Sequence, residues 1–383
     1  MILNEEQSML KDSAAEFCRE RAPVAQLRRL RDENSATGFD SDTWQAMVEL
    51  GWAGIPWAEE FGGLDFGYKG LGVVTMECGR TLAASPLFAS IWLAGTAVNL
   101  AGSNAQKADL LARLARGELL SALALEEGRR HQPDQIATRA EATPDGYVLS
   151  GEKSFVPDGQ TADLLLVAAR RSNATPHSEG ISLFLVPGNS EGVSFTDLKM
   201  VDSRKAARVK LDSVKVDVNA VLGGEPREGG EPQQSLERTL DIARIGLAAE
   251  MQGALESCFQ STVTYLKERE QFGVPIGSFQ GLKHRAADLF TELELSKSVV
   301  LEALTALDEE RDPAEIASLA SLAKARTGDV FKRISREAIQ MHGGVGMTDE
   351  FDVGFFIKRA AVAEQMLGSA RYHRNRYAEL AGY

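Results

Sequence analysis

The sequence predicts an α+β chain laid out as helices, then a sheet, then helices. Three observations carry this. Residues 1 to about 120 are rich in Ala, Leu, Glu and Arg at helical spacing. From Ser121 to about residue 225, short β-prone runs alternate with turn signals: SALALEE, GYVLSGE, LLLVAAR, ISLFLVP, VSFTDL and ARVKLDSVKV. That pattern reads as an antiparallel sheet. From Ser235 the helical pattern returns and lasts almost to Tyr383. The expected domains are residues 1–120, 121–230 and 231–383.

In the first zone one Gly/Pro-rich interruption, GWAGIPWAEEFGGLDFG (Gly51 to Gly67), sits among the helices. In the second, Tyr147–Ser150 and Asp163–Val167 read as strands. GEKSFVPDG (Gly151 to Gly159) reads as the turn between them, because Pro157-Asp158-Gly159 is a turn signal. The acidic, glycine-rich GGEPREGGEPQQ (Gly223 to Gln234) reads as an exposed linker. After it comes IARIGLAAEMQGAL (Ile242 to Leu255). Apolar or small residues surround that whole axis, which predicts a buried central helix. Its two charged residues, Arg244 and Glu250, are a solvated notch, a structural ion pair or groups facing a ligand cleft.

Bulk properties narrow the function classes. Of the 383 residues 44% are hydrophobic and 25% charged, as in a soluble globular protein. The formal net charge of −13 argues against nucleic acid or an anionic membrane as the main partner. Cys18, Cys78 and Cys258 are far apart, which points to neither a zinc site nor a disulfide framework. A reducing cytoplasm is therefore expected. The start, MILNEEQSMLKDS, is acidic and lacks the apolar core of a signal peptide. No apolar run reaches the ~18 residues of a membrane span.

Two later segments carry chemistry. YLKEREQFGVPIGSFQGLKHR (Tyr265 to Arg285) reads as a helix end, a Gly/Pro turn and a new helix near Ser278-Phe279-Gln280. At that corner Arg269 can pair with phosphate, Phe272 can stack on a ring and Gln280 can read a heterocycle edge. A surface corner with a solvated arginine is the plainer reading. QMHGGVGMTDE (Gln340 to Glu350) has three glycines in four positions, which permits close backbone approach. It lacks the spacing of a Rossmann or P-loop fingerprint.

The order of these pieces resembles the acyl-CoA dehydrogenase family over nearly the whole chain. GWAGIPWAEEFGGLDFG is similar to its N-terminal glycine loop, and SGEKSFV to the segment leading to its flavin-contacting strand. The resemblance implies a C-terminal four-helix-bundle domain and an oligomer with FAD lying across a subunit boundary. It implies that Arg269, Phe272 and Gln280, with Gln340, Gly343 and Gly344, contact the ADP part of that flavin. An acyl-CoA thioester is the implied substrate, and an electron-transfer flavoprotein the implied acceptor.

The chain departs from the family pattern in two places. Where the family has a TEPxxGSD-like segment holding the flavin ring, this chain has Leu125-Glu126-Glu127-Gly128-Arg129-Arg130-His131-Gln132. Only Glu126 matches, and Arg130-His131 replace the small Gly-Ser pair. Pro157 stands where a family hydroxyl donates near the flavin N5, and proline has no such donor. The family's C-terminal catalytic glutamate falls on Leu367, with Glu364 about one helical turn earlier. Its alternative position in the long helix falls on Ala243, beside an arginine matched by Arg244, which would contact substrate.

Glu250, two turns after Ala243, is the remaining candidate base, against a structural reading of the same buried carboxylate. Glu237 is a weaker one. The run FFIKRAAVAEQMLGSARYHRNRYAEL resembles the partner subunits of bacterial heteromeric steroid-type dehydrogenases. The resulting expectation is a subunit that donates the FAD ADP half-site to a homologous chain. The alternatives are a self-sufficient homo-oligomer that uses Glu250, and a non-catalytic protein of the same fold that binds CoA esters or serves assembly.

Overall fold

A computed structural model describes residues 3–171, 180–224 and 232–383. In chain order the helices begin with α1 (Glu5–Arg21), α2 (Val24–Asp32), α3 (Ser41–Glu49) and α4 (Gly67–Arg80). A π-helical turn (Leu87–Gly95) leads into α5 (Thr96–Ala101) and α6 (Asn104–Ala115). Seven strands follow: β1 (Ser121–Ala124), β2 (Arg139–Thr143), β3 (Gly146–Pro157), β4 (Leu164–Arg171), β5 (Ile181–Pro187), β6 (Val193–Asp197) and β7 (Ala206–Asp217). Then come α7 (Pro232–Glu268), a ribbon of β8 (Glu270–Gln271) and β9 (Val274–Pro275), α8 (Gln280–Asp308), α9 (Pro313–His342), α10 (Val353–Gln365) and α11 (Ala370–Leu380).

These elements form two compact units that cut across the three sequence zones. One holds residues up to Arg29, Tyr68–Ala84 and Arg244–Tyr383; the other holds Leu30–Gly67 and Ser85–Ala243. In the first, α9 packs against α8, α10 and α11. The central helix is buried on all sides from Thr239 to Glu256, as its composition predicts. Helices α4 and α7 approach through glycine. A Cβ added to Gly253 would stand 1.7 Å from the Met76 carbonyl oxygen, and one added to Gly79 would stand 2.1 Å from that of Glu250. Backbone cannot yield as a flexible side chain can. Gly253→Ala is therefore expected to lower stability by about 1–3 kcal/mol or more, read as a fall in the urea midpoint.

The second unit holds the sheet, in the order β1-β4-β2-β3-β7-β6, with β5 also on β4. Its core is apolar, built from Leu149, Val156, Leu165, Val167, Phe184 and Val209 among others. Most pairings are antiparallel, but β1 pairs β4 in parallel, and so does the end of β2. The antiparallel reading holds for most of the sheet, with these two parallel pairings added to it. The connection Leu125–Thr138 crosses over instead of folding back as a hairpin, so β1 and β2 run the same way.

GEKSFVPDG is also corrected. Its first seven residues belong to β3, which pairs β7 as far as Pro157–Ala206, with register shifts between Leu149/Gly151 and Lys153/Val156. The bulges absorb the glycine, and Pro157 ends the strand, where a missing N–H is tolerated. The turn begins only at Asp158, at φ 52°. Of the expected linker, residues 225–231 lie outside the described residues, while Pro232–Gln234 already belong to α7.

Candidate functional site

The predicted ADP-contacting residues lie at one end of the helical unit. Helix α7 stops at Glu268, and the tiny β8–β9 ribbon turns the chain into α8. The Arg269 carbonyl accepts from the Ile276 N–H at 2.7 Å, which ties the two sides of the corner. Arg269, Phe272 and Gln280 are all exposed. Phe272 is 91% exposed at φ 57°, and its ring meets Phe279 edge-on, 6.1 Å between centroids. Gln340 is exposed on the last turn of α9, and Gly343 and Gly344 are exposed just after it.

A contact that the sequence did not reveal joins the two motifs. Tyr265, one turn before Arg269, stacks on His342, the residue before Gly343, at 4.3 Å between centroids. Its hydroxyl donates to the His342 carbonyl at 3.3 Å, and Phe351 packs edge-on against both rings. Burial lowers the affinity of His342 for a proton, which keeps the stack neutral near pH 7. The aromatic spacing Tyr265…His342…Phe351 carries no motif, so only the fold brings it together.

The same surface fits the ADP end of FAD. A Cβ added at Gly273, Gly281, Gly343 or Gly344 would meet no atom within 4 Å. An exposed aromatic ring and an exposed guanidinium thus stand beside open backbone. The β-domain stretch fits the flavin ring poorly. There the His131 side chain, 3% exposed, folds onto Glu126 with Nδ1 2.5 Å from Oε1. Glu127 is committed as well: its carboxylate accepts from Ala137 N, Thr138 N and Oγ1, and the buried Lys153 Nζ. Burial pushes the Lys153 amine down to about 8, against the pull of Glu127.

Two of the predicted base positions, Leu367 and Glu364, lie at a buried corner between α10 and α11. Leu367 sits in that corner at φ 55°. Its carbonyl accepts from Arg244 Nε at 3.3 Å and lies 3.0 Å from His373 Nε2. The Arg244 guanidinium also lies over the Tyr372 ring, 5.8 Å from its centroid. Lys324 Nζ donates to the carbonyls of Glu364 and Gly368, each at 3.0 Å. The Glu364 carboxylate accepts from the Ala370 N–H at 3.1 Å and so caps α11.

Glu250 is paired within the chain, with Arg359. Arg359 Nε and Nη2 donate to its two oxygens at 2.8 and 3.0 Å, and both side chains are buried. Ala243 is fully buried, and Glu237 is half-buried on α7. Sequence reasoning missed Arg359, His373 and Lys324. The available signal was Lys324 as the lone charge in the small-residue run ASLASLAKA.

Burial pushes the Lys324 amine down to about 7, with Glu364 pulling it up and Arg244 and Arg359 pushing it further down. Its amine is neutral in the fold above about 7 and charged in the unfolded chain up to about 10.5. Between those values the unfolded state binds more protons, so stability rises with pH. Lys324→Met is expected to flatten that rise in the urea midpoint across this window.

The described residues include no helix long and apolar enough to cross a membrane, and no group of three or more His, Cys, Asp or Glu side chains able to hold a metal ion. Family models match the whole architecture: the acyl-CoA dehydrogenase N-terminal domain over residues 4–118, the middle domain over 122–214 and the C-terminal domain over 234–381. The probable acyl-CoA dehydrogenase YngJ of Bacillus subtilis is 30% identical over 380 residues, 97% of each chain. A variant of the Tcur3481-Tcur3483 steroid ACAD is similar in structure, with TM-score 0.87, 28% identity and 98% of both chains covered. So is the ChsE4-ChsE5 complex from Mycobacterium tuberculosis, with TM-score 0.88, 25% identity and coverage of 100% of this chain and 99% of that one. The chain belongs to the acyl-CoA dehydrogenase family, FAD-dependent oxidoreductases acting on CH–CH bonds.

Proposed function

We propose that this chain is one subunit of a heteromeric acyl-CoA dehydrogenase and supplies the ADP half of a FAD site completed by a homologous partner. One contrast carries the reading. Arg269, Phe272, Gln340, Gly343 and Gly344 stand exposed beside open space, while the β-domain stretch at Glu126 and His131 is closed on itself. Bound FAD supplies the hydride acceptor for α,β-desaturation of an acyl thioester. In this chain Arg269 would pair with the diphosphate, Phe272 would stack, and Gln280 and Gln340 would orient the adenosine end.

The base would come from the partner. Here the family base position holds Leu367, pinned by Arg244 and His373. Glu250 is the base of the self-sufficient alternative. Its two-point bond to Arg359 occupies both oxygens, which suits a structural role better than proton abstraction. The acyl group in this reading is bulky, on the likeness to the steroid ACAD, and an electron-transfer flavoprotein takes the electrons.

The purified chain is expected to carry little flavin and to oxidise no acyl-CoA until the partner is co-expressed. Flavin absorbance per chain and turnover with an artificial acceptor measure this. Stoichiometric flavin with turnover in the homomer would overturn the proposal. Normal turnover with a normal flavin spectrum in Glu250→Gln would then eliminate Glu250 as the base.

A further inference from the structure

The helical unit holds a cavity of about 200 Å³, formed where α1, α4 and α8 contribute side chains. Val73, Met76 and Leu301 give it apolar walls, and Lys11, Lys69 and Lys297 line it as well. In a chain of net charge −13, three lysines around one small apolar cavity are a local reversal of sign. None of the residues placed above at the FAD site or the Leu367 corner lines it.

The amines are unequally committed. Lys297 Nζ lies 3.3 Å from Glu256, which also takes Arg80 at 2.8 Å. Among the described residues Lys11 and Lys69 enter no ion pair. The one carboxyl in the lining is Glu77, and burial raises its affinity for a proton, against the attraction of Arg80, Lys11 and Lys297. The wall therefore offers two lysines held in no salt bridge, Lys11 attracted by Glu77 and Lys69 by Asp308, above an apolar floor. Water in such a space leaves the floor without partners, and a bare inorganic anion cannot cover it. The complementary ligand has an anionic head and a short apolar tail.

Size limits the ligand further. An apolar cavity of roughly 150 Å³ takes benzene, so about 200 Å³ takes roughly eight non-hydrogen atoms. A CoA ester is several times larger, so this is not the place for the acyl-CoA substrate.

We propose that this cavity binds a free small monocarboxylate, of about the size of hexanoate, with its carboxylate between Lys11 and Lys69 and its tail against Val73, Met76 and Leu301. The class is the free acid that thioester hydrolysis would release from a short acyl-CoA. The site would let the protein sense that acid without engaging the FAD-binding end. The proposal does not depend on the heteromeric reading, because every lining residue belongs to this chain.

Isothermal titration of the full-length chain with sodium hexanoate tests it. Saturable binding of one hexanoate per chain is expected. Each buried methylene strengthens binding about fourfold, so butyrate should bind roughly 15-fold more weakly than hexanoate. Decanoate should show no further gain, because the cavity is full. Lys11→Gln/Lys69→Gln should weaken hexanoate roughly tenfold. Lys11 is exposed and Lys69 half-buried, and neither makes a salt bridge, so the melting temperature should change little. No saturable hexanoate binding would overturn the proposal. So would equal binding by the double variant, or full competition by inorganic phosphate, each of which reduces the site to nonspecific attraction by surface lysines.

Discussion

Arg359→Met is expected to lower the stability of the helical unit by about 3–5 kcal/mol. The guanidinium makes a two-point bond to Glu250 at 2.8 and 3.0 Å, and both side chains are buried. Removing it leaves a carboxylate in an apolar helix without its principal partner. The penalty comes from weaker compensation of that buried charge more than from the lost attraction. Arg359→Met with Glu250→Leu should therefore recover most of the loss, since replacing a buried pair by well-packed apolar groups is often neutral or stabilising. Urea midpoints of the single and double variants close the cycle. If the double variant is as unstable as the sum of both singles, the two side chains do not act as a pair.

The second large effect concerns the cofactor. Arg269→Ala with Phe272→Ala is expected to weaken FAD binding by about 10- to 100-fold in the assembled enzyme, from the loss of a charge-assisted bond and a stacking face. Both side chains are exposed in the single chain, Phe272 at 91%. Truncating them should leave its melting temperature within the small range of surface substitutions. Flavin retained after gel filtration, set beside the melting curve of the same sample, separates binding from folding. Unchanged flavin retention would place the ADP end elsewhere.

Much of the fold was legible because several signals agreed. The helix Ile242–Leu255 announced its burial by having almost nothing polar to turn toward water, and every residue in it is buried. β2 was invisible: RAEAT is exposed at four of its five positions and shows no apolar alternation. The parallel pairings depend on where a crossover lands, which no local pattern encodes. GEKSFVP read as a turn because glycine and proline outweighed a strand that continues through two bulges.

The candidate site was legible only in part. Arg269, Phe272 and the Gln340–Gly344 loop could be named from short motifs. The partner of Glu250 lies 109 positions away, and that of Tyr265 lies 77 away. Long-range pairs of this kind leave no trace in one sequence. Arg244 and Glu250 stand six positions apart on one helix, and each also reaches a distant residue of the C-terminal segment, Leu367 and Arg359.

The corner at Leu367 has one more property. A charged lysine carries three N–H bonds and a neutral one carries two. Lys324 has two carbonyl acceptors, those of Glu364 and Gly368. Loss of its proton therefore removes a bond that this geometry does not need. The corner can titrate near neutrality without moving: acidity changes how firmly the helices hold together there and leaves their arrangement alone. That corner joins a titrating amine to two fixed carbonyls, so a change of proton count there needs no change of hydrogen-bond partner.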